Sequence, residues 1–337
     1  MANLRPVTAL DDPLAADFVA LNDPERRRRV ERAGDYFVVE GLLAIERLLD
    51  LGTWAIRSLL LLPRAAERLA DRLDALDVPV GVATPDVLRA VVGFDLHRGA
   101  LASVARQPPA DLTALVTAAT RPAADSADGT PADLPDDRPD NAPVDLAGDP
   151  PGARSDGAPG DLPGEPADLP DGAPGGSAGA RAAGPTCRPL LLALEGVNDH
   201  ENLGALYRNA AGFGVAGVVL DPRCADPFYR RSVRVSLGHV LAVPTARGDG
   251  FPGDLHRLHR LGVDTVALTP AADLDLWGLR DRLPPDRPVA VLVGAEGPGL
   301  TAGALAGATW RVGIPMTAGV DSLNVATAAA IALHHLR

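Results

Sequence analysis

Lysine is missing from this 337-residue sequence: all 32 basic side chains are arginine. So uniform a choice points to a GC-rich coding sequence, and it removes arginine abundance as evidence of function. Cysteine occurs only twice, at Cys187 and Cys224. The two thiols lie far apart with no metal-ligand spacing, which fits a reduced, cytoplasmic protein without a metal site. The N-terminus lacks the basic-then-apolar order of a secretory leader. No apolar run approaches the roughly 20 residues that span a bilayer, so no membrane role is expected. Aromatic residues make up 4 % of the chain, and residues 106–186 are almost devoid of them.

What is present is unevenly placed. The formal charge of −12 argues at first sight against a nucleic-acid partner. Residues 106–186, however, carry 14 acidic residues against 5 arginines, so the rest of the chain is close to neutral. Basic clusters such as "ERRRR" (25–29) and "RRSVR" (230–234) can still attract phosphate. The acidic stretch repeats "ADLP" (132–135, 167–170) and "DGAPG" (156–160, 171–175) and is dense in Pro, Gly, Ala and Asp. It cannot bury enough apolar surface to offset a backbone ordering cost of about 1–2 kcal/mol per residue. It reads as a disordered linker over 106–186, either a spacer between the folded parts or a neutral insertion that drifts freely, with a short helical start at "DLTALVTAA" (111–119).

Residues 1–105 read as a small α/β unit. Strands are expected over 36–40, 56–63, 78–83 and 99–105. Helices are expected in "DPERRRRVERAG" behind Asp23, over 41–52, over 64–76 and over 84–93 with Thr84 as cap. Residues 187–337 read as a second α/β domain, with strands over 189–197, 215–220, 239–244, 265–270, 289–294 and 310–315. Helices are expected over 202–214 and 322–336. The β-rich apolar runs fit a parallel sheet buried on both faces.

Gly212, Gly214 and Gly217 spell G-x-G-x-x-G, but a dinucleotide fingerprint follows a strand and opens a helix. Here a helix precedes and a strand follows, so these glycines read as a helix end and turn. "LVGAEGPGL" (292–300) is a buried strand running into a glycine-rich loop with one carboxylate, Glu296, at the place where parallel sheets bind ligands. In "GIPMTAGVDSLNVATAAA" (313–330) a strand stops at Pro315 and a helix starts near Ser322, with Asp321 or Ser322 as N-cap and Asn324 in its first turn. In "NLGALYRNAAGFG" (202–214), Asn202, Gly204 and Arg208 are assigned to one side of a helix, where an amide and a guanidinium offer donors to an anion.

Together these three segments, with the intervening "DPFYRRSVRVSLGHVLAVP" (226–244), closely resemble the motifs of the SpoU (TrmH-like) RNA 2′-O-ribose methyltransferases of the SPOUT class. The resemblance covers 189–337. The N-terminal unit, with "YFVVEG" and "FDLHRGALA", is similar to the small substrate-binding domain of many members. The resemblance implies an α/β fold with a deep C-terminal trefoil knot, S-adenosylmethionine as cofactor, structured RNA as substrate and a homodimer. It implies catalytic roles for Arg208, Asn202, Glu296, Ser322 and Asn324. It places the cofactor at Leu268, Thr269, Gly294, Ile314, Met316 and Leu323. Candidate RNA contacts are Arg26, Arg28, His97, Arg98, Arg230 and Arg231. Two other readings compete. An oxidoreductase lacks a correctly placed fingerprint, and the complete set from Asn202 to Asn324 argues against a non-catalytic RNA-binding protein.

Overall fold

Short runs of Val, Leu and Ala alternate in this chain with segments that begin at a capping side chain and carry one apolar stripe. The computed structural model describes residues 4–21, 23, 35–93, 99–121 and 188–337. The helix expected behind Asp23, the candidates Arg26, Arg28, His97 and Arg98, and residues 122–187 lie outside the described residues.

The first sheet contains β1 (Leu4–Val7), β2 (Tyr36–Glu40), β3 (Ile56–Leu61), β4 (Val80–Ala83) and β5 (Ala100–Ala105), ordered β1-β4-β3-β5-β2. β1, β4 and β3 are parallel, and β5 runs antiparallel between β3 and β2. After β2, helix α1 (Leu42–Leu51) buries Ala44, Ile45 and Leu48, the stripe of an amphipathic helix, and stops at Gly52 in the left-handed conformation. The single helix expected over 64–76 is two, α2 (Pro63–Arg68) and α3 (Ala70–Leu73), separated at Leu69. Helix α4 (Pro85–Val92) starts at its expected cap, Thr84, whose hydroxyl accepts from Val87 N.

The helical start expected at 111–119 is present, but it is part of the folded unit and not of a linker. Helix α5 (Leu112–Ala119), capped by Asp111, buries Leu112, Leu115 and Val116 in the core of the second sheet, where Ala110 bridges Ala246. Residues 106–121 therefore belong to the same folded unit as the described residues before them and residues 188–337.

The second sheet has seven parallel strands: β6 (Leu190–Glu195), β7 (Gly217–Leu220), β8 (Thr245–Arg247), β9 (Asp264–Leu268), β10 (Leu274–Asp275), β11 (Val289–Gly294) and β12 (Trp310–Gly313). Their order is β10-β12-β9-β11-β6-β7-β8. β6 is buried along its whole length, as the apolar run implies. The helices are α6 (His200–Gly212), α7 (Arg230–Val235), α8 (Gly253–Arg260), α9 (Leu276–Leu279), α10 (Ala302–Gly307) and α11 (Val325–Leu336). Gly212 ends α6, Gly214 turns the chain at φ +65° and Gly217 opens β7, which disposes of the dinucleotide fingerprint. The strand expected over 239–244 is instead a 3-10 turn, His239–Leu241. Gly238 takes φ +78°, and His239 N and Leu241 N find acceptors on Ser236 and Gly238, so this backbone pairs locally and the strand starts only at Thr245.

The two halves are not held apart. Phe37 of β2, Trp54 and Phe228 form an aromatic cluster with centroids 4.9–5.5 Å apart. Trp54 Nε1 donates to Leu241 O at 2.9 Å, and Arg106 pairs with Asp226. Glu40, 5 % exposed, accepts from Arg230 Nη1 at 3.0 Å and Arg234 Nη1 at 2.9 Å. Arg230, expected at the RNA surface, is thus a half-buried tie between the halves, and Arg231 is paired with Glu201.

Candidate active site

From β6 the chain crosses to β7 on one side of the sheet, and from β11 it leaves toward β12 on the other, although β6 and β11 are neighbours. This is the switch point of an open parallel sheet, where a crevice opens beyond the carboxyl ends of the strands. The loop after β6 leads into α6 through Asp199, whose carboxylate accepts from Glu201 N and Asn202 N, both at 2.8 Å. The loop after β11 carries Glu296.

Asn202 joins the two. Its Nδ2 donates to Glu296 Oε2 at 3.0 Å, and its Oδ1 accepts from Asn324 Nδ2 at 2.8 Å. Asn324 is also the N-cap of α11, its Oδ1 accepting from Ala326 N at 2.9 Å and Thr327 N at 3.3 Å. Neither Asp321 nor Ser322 is the cap, and the helix begins at Val325. One amide from each of two helices and one carboxylate from a loop thus form a single hydrogen-bonded chain. Asn209, two turns further along the same face of α6, donates to Ala326 O at 2.8 Å and locks α6 to the first turn of α11. Ser322 is exposed two residues before the cap and is not part of the chain.

A second layer braces the crevice. Glu195 at the end of β6 is 1 % exposed and accepts from Thr301 N, Thr301 Oγ1 and Arg223 Nη2 at 2.8–2.9 Å. Thr301 closes the Glu296 loop, so Glu195 fixes that loop to the neighbouring strand. Burial works to raise the pKa of Asp221 beside it. Bonds from Gly196 N and Arg223 outweigh burial and hold this carboxyl below its ordinary value. Cys224 is buried and its thiol is pushed up to about 12 by burial, so it is no nucleophile.

Of the expected cofactor positions, Leu268, Thr269, Gly294 and Ile314 end or directly follow three adjacent strands, β9, β11 and β12, while Met316 and Leu323 lie further on in the segment between β12 and α11. Leu268 ends β9 and Thr269 follows it, its N–H bonded to Val312 O at 3.0 Å. Gly294 ends β11, and a Cβ there would overlap the Gly299 carbonyl and Leu300 N, because the loop folds straight back over the strand. A side chain at Gly313 would come within 3.1 Å of Ala272, so the loops after β12 and β9 touch. Leu268, Ile314, Met316 and Leu323 are all partly exposed.

Arg208 stands apart from the amide chain. Six residues on from Asn202, at 3.6 per turn, it lies about 120° around α6, so the two do not share a side as expected. Gly204, one turn earlier, is pressed against α7, where a Cβ would meet Ser232 O at 2.7 Å. Arg208 is exposed and has no ion pair among the described residues. Arg47 of α1 and the imidazole of His239 feel its charge. Burial, then the charges of Arg47 and Arg208, push the imidazole of His239 down to about 4, so it is neutral at pH 7. Asp199, Asn209, Glu195, His239 and Arg47 escaped the sequence reading. Only Asp199, preceding a helix, carried a local signal. A cavity of 590 Å³ lined by Trp54, Arg106, Phe228 and Arg247 lies elsewhere at the junction of the halves, and no expected site residue lines it. Among the described residues no His, Cys, Asp and Glu group of three or more is placed to hold a metal, and no helix is long and apolar enough to cross a membrane.

Fold and site define an α/β protein with a ligand crevice at the carboxyl edge of a parallel sheet, closed by its last helix. Residues 189–334 match the model of the SpoU rRNA Methylase family. An uncharacterized tRNA/rRNA methyltransferase of Mycobacterium tuberculosis is 35 % identical over 324 residues, 96 % of this chain and 88 % of that protein. One from Synechocystis is 37 % identical over 148 residues, covering 44 % of this chain and 53 % of that protein. The crystal structure of an AdoMet-bound rRNA methyltransferase from Sinorhizobium meliloti aligns with TM-score 0.66 and 23 % identity, over 99 % of this chain and 98 % of that one. That of the SpoU methyltransferase AviRb from Streptomyces viridochromogenes with AdoMet aligns at 0.60 and 20 %, over 96 % and 95 %. The chain belongs to the SpoU family of RNA methyltransferases, and its fold is the α/β fold of the SPOUT class.

Proposed function

We propose that this protein is an S-adenosylmethionine-dependent enzyme that methylates a ribose 2′-hydroxyl in structured RNA, with ribosomal RNA favoured over transfer RNA by the two-domain layout. The hydrogen-bonded chain Asn324–Asn202–Glu296 carries the reading, because it joins the three sequence motifs at the switch point of the sheet. The residues present fit the cofactor: three strand ends, a glycine that lets the loop fold over one of them, and partly exposed Leu268, Ile314, Met316 and Leu323 for an adenine. Thr269 and Gly294 would contact it through backbone groups. Bound there, S-adenosylmethionine supplies a methyl carbon made electrophilic by its sulfonium.

The protein's own task is to place a 2′-oxygen in line and ease the loss of its proton. A guanidinium keeps its proton in proteins, so the 2′-proton passes to the adjacent RNA phosphate or to water and Arg208 is not its acceptor. Arg208 grips the phosphate next to the target ribose and stabilises the developing alkoxide. Asn202 and Asn324 hold Glu296 in one orientation, and Glu296 and Ser322 orient the ribose. In this reading the chain acts as a cytoplasmic homodimer whose site takes residues from both subunits, and its last segment is threaded through a trefoil knot.

The test is methyl transfer from labelled S-adenosylmethionine to total RNA of a strain lacking this gene, with the product mapped to the 2′-oxygen. Arg208→Lys keeps the charge and loses the fork. It should lower turnover about a hundredfold or more while leaving cofactor affinity unchanged. Near-normal turnover in that variant would remove Arg208 from the chemistry. RNA binding without methyl transfer by the wild type would leave a binding protein on an enzyme's fold.

A further inference from the structure

The small domain reaches the neighbourhood of Arg208. Helix α1 lies on the turn Leu237–Leu241, so closely that a Cβ at Gly238 would be 2.9 Å from Ala44 Cα. One turn along α1 from Ala44, the Arg47 guanidinium donates from Nη1 to Leu237 O. The same turn packs on α6, the helix of Arg208. The turn therefore joins α1, which carries Arg47, to α6, which carries Arg208, and both arginines act electrostatically on half-buried His239 within it.

Their pairing is unlike that of the other arginines here. Of the five on α1, α6 and α7, Arg230 and Arg234 pair with Glu40, and Arg231 pairs with Glu201. Arg47 and Arg208 have no ion pair among the described residues. Asp50, the carboxylate one turn from Arg47, is bonded to Arg72 at 2.8 Å. Leu237 O is the only acceptor that Arg47 meets among the described residues, which leaves most of its five N–H groups available. Asp50 still attracts Arg47 from one turn away, but Arg208 repels it, and an anion held by both arginines converts that repulsion into two charge-assisted interactions.

We propose that Arg47 and Arg208 form a two-arginine seat for one backbone phosphate of the RNA, so that the small domain supplies a positioning residue to the methylation site. The inference rests on the reading of the protein as an RNA methyltransferase. Arg47 does not touch the reacting atoms. It holds the phosphate that Arg208 shares, and thereby the register of the ribose.

Arg47→Ala and Arg47→Gln in the full chain test it, again with total RNA of the deletion strain and labelled S-adenosylmethionine. The KM for RNA should rise about tenfold, with kcat changed far less and cofactor affinity unchanged. In RNA binding, the slope of log K against log salt should fall by about one phosphate's worth, 0.7–0.9. Arg47→Lys should restore the slope but only part of the KM. The losses of Arg47→Ala and Arg208→Ala in RNA binding should combine less than additively, since both act on one phosphate. An unchanged KM and salt slope in a folded variant, or a loss confined to thermal stability, overturns the proposal, because a merely structural bond to Leu237 would move only stability. If the wild type transfers no methyl group to RNA, the reading beneath it fails as well. If the wild type does and Arg47→Ala matches it, only the seat is lost.

Discussion

At the level of single residues, the site is governed by which charges are paired and which are not. His239 shows the cost of placing a titratable group beside two unpaired arginines. Its pKa of about 4 lies below the ordinary 6.5, first through burial and then through Arg47 and Arg208. As pH falls, the unfolded chain takes up this proton first. The contribution of His239 to stability is therefore complete above about pH 6.5 and declines as the pH drops toward 4. The urea midpoint of the wild type should fall further between pH 7.5 and pH 4.5 than that of His239→Gln. His259 and His335 are also shifted down by burial, but they are common to both proteins and drop out of the difference. Equal losses in the two proteins would show that His239 titrates normally. None of this was legible in "SLGHVLAVP", because the groups that depress His239 arrive from helices about 30 and 190 residues earlier in the chain.

At the level of elements, what was legible follows period and punctuation. The apolar runs became β6, β9, β11 and β12 almost residue for residue, and Thr84 capped α4 as its position implied. The failures have physical causes. "HVLAVP" has the composition of a strand, but Gly238 and the local bonds behind it make a turn. β1 exposes most of its four residues and shows no alternation to read. Asn324 was placed inside the first turn when it is the cap, an error of the two or three residues by which helix starts are blurred in sequence. That correction separates two roles in one side chain, since Oδ1 caps α11 while Nδ2 holds Asn202. Asn324→Ala should lose both and destabilise the protein by about 1 kcal/mol. Asn324→Asp keeps a capping oxygen, so its melting temperature should stay close to wild type. It has no donor for Asn202, so its methyl-transfer rate should drop with that of the alanine variant. A full-rate Asn324→Asp would show that the bond to Asn202 is dispensable and that Asn324 is only a cap.

At the level of the whole molecule, the division into halves is a feature of sequence order more than of cohesion. One apolar cluster includes Phe37, Ile45 and Leu59 from the first half and Leu192, Tyr207 and Val240 from the second. Glu40 of β2 pairs with Arg230 and Arg234 of α7 across the junction, and α5 brings the start of the expected linker onto β7 and β8. A chain built this way should unfold in one calorimetric transition. Glu40 gives the means to probe it. Its carboxylate and the Arg230 side chain are both largely withdrawn from water, at 6 % and 12 % exposure, while Arg234 is half exposed. Glu40→Gln keeps the shape and removes the one charge that Arg230 and Arg234 both face. Breaking a buried pair in this way costs about 3–5 kcal/mol, and solvent access at Arg234 puts the expected loss at the lower end. Because the pair joins the halves, the variant should also broaden or split the transition. Two separate transitions in the wild type, or an unchanged melting temperature in Glu40→Gln, would show that the halves fold independently. The position of Arg47 beside Arg208 would then owe nothing to this junction.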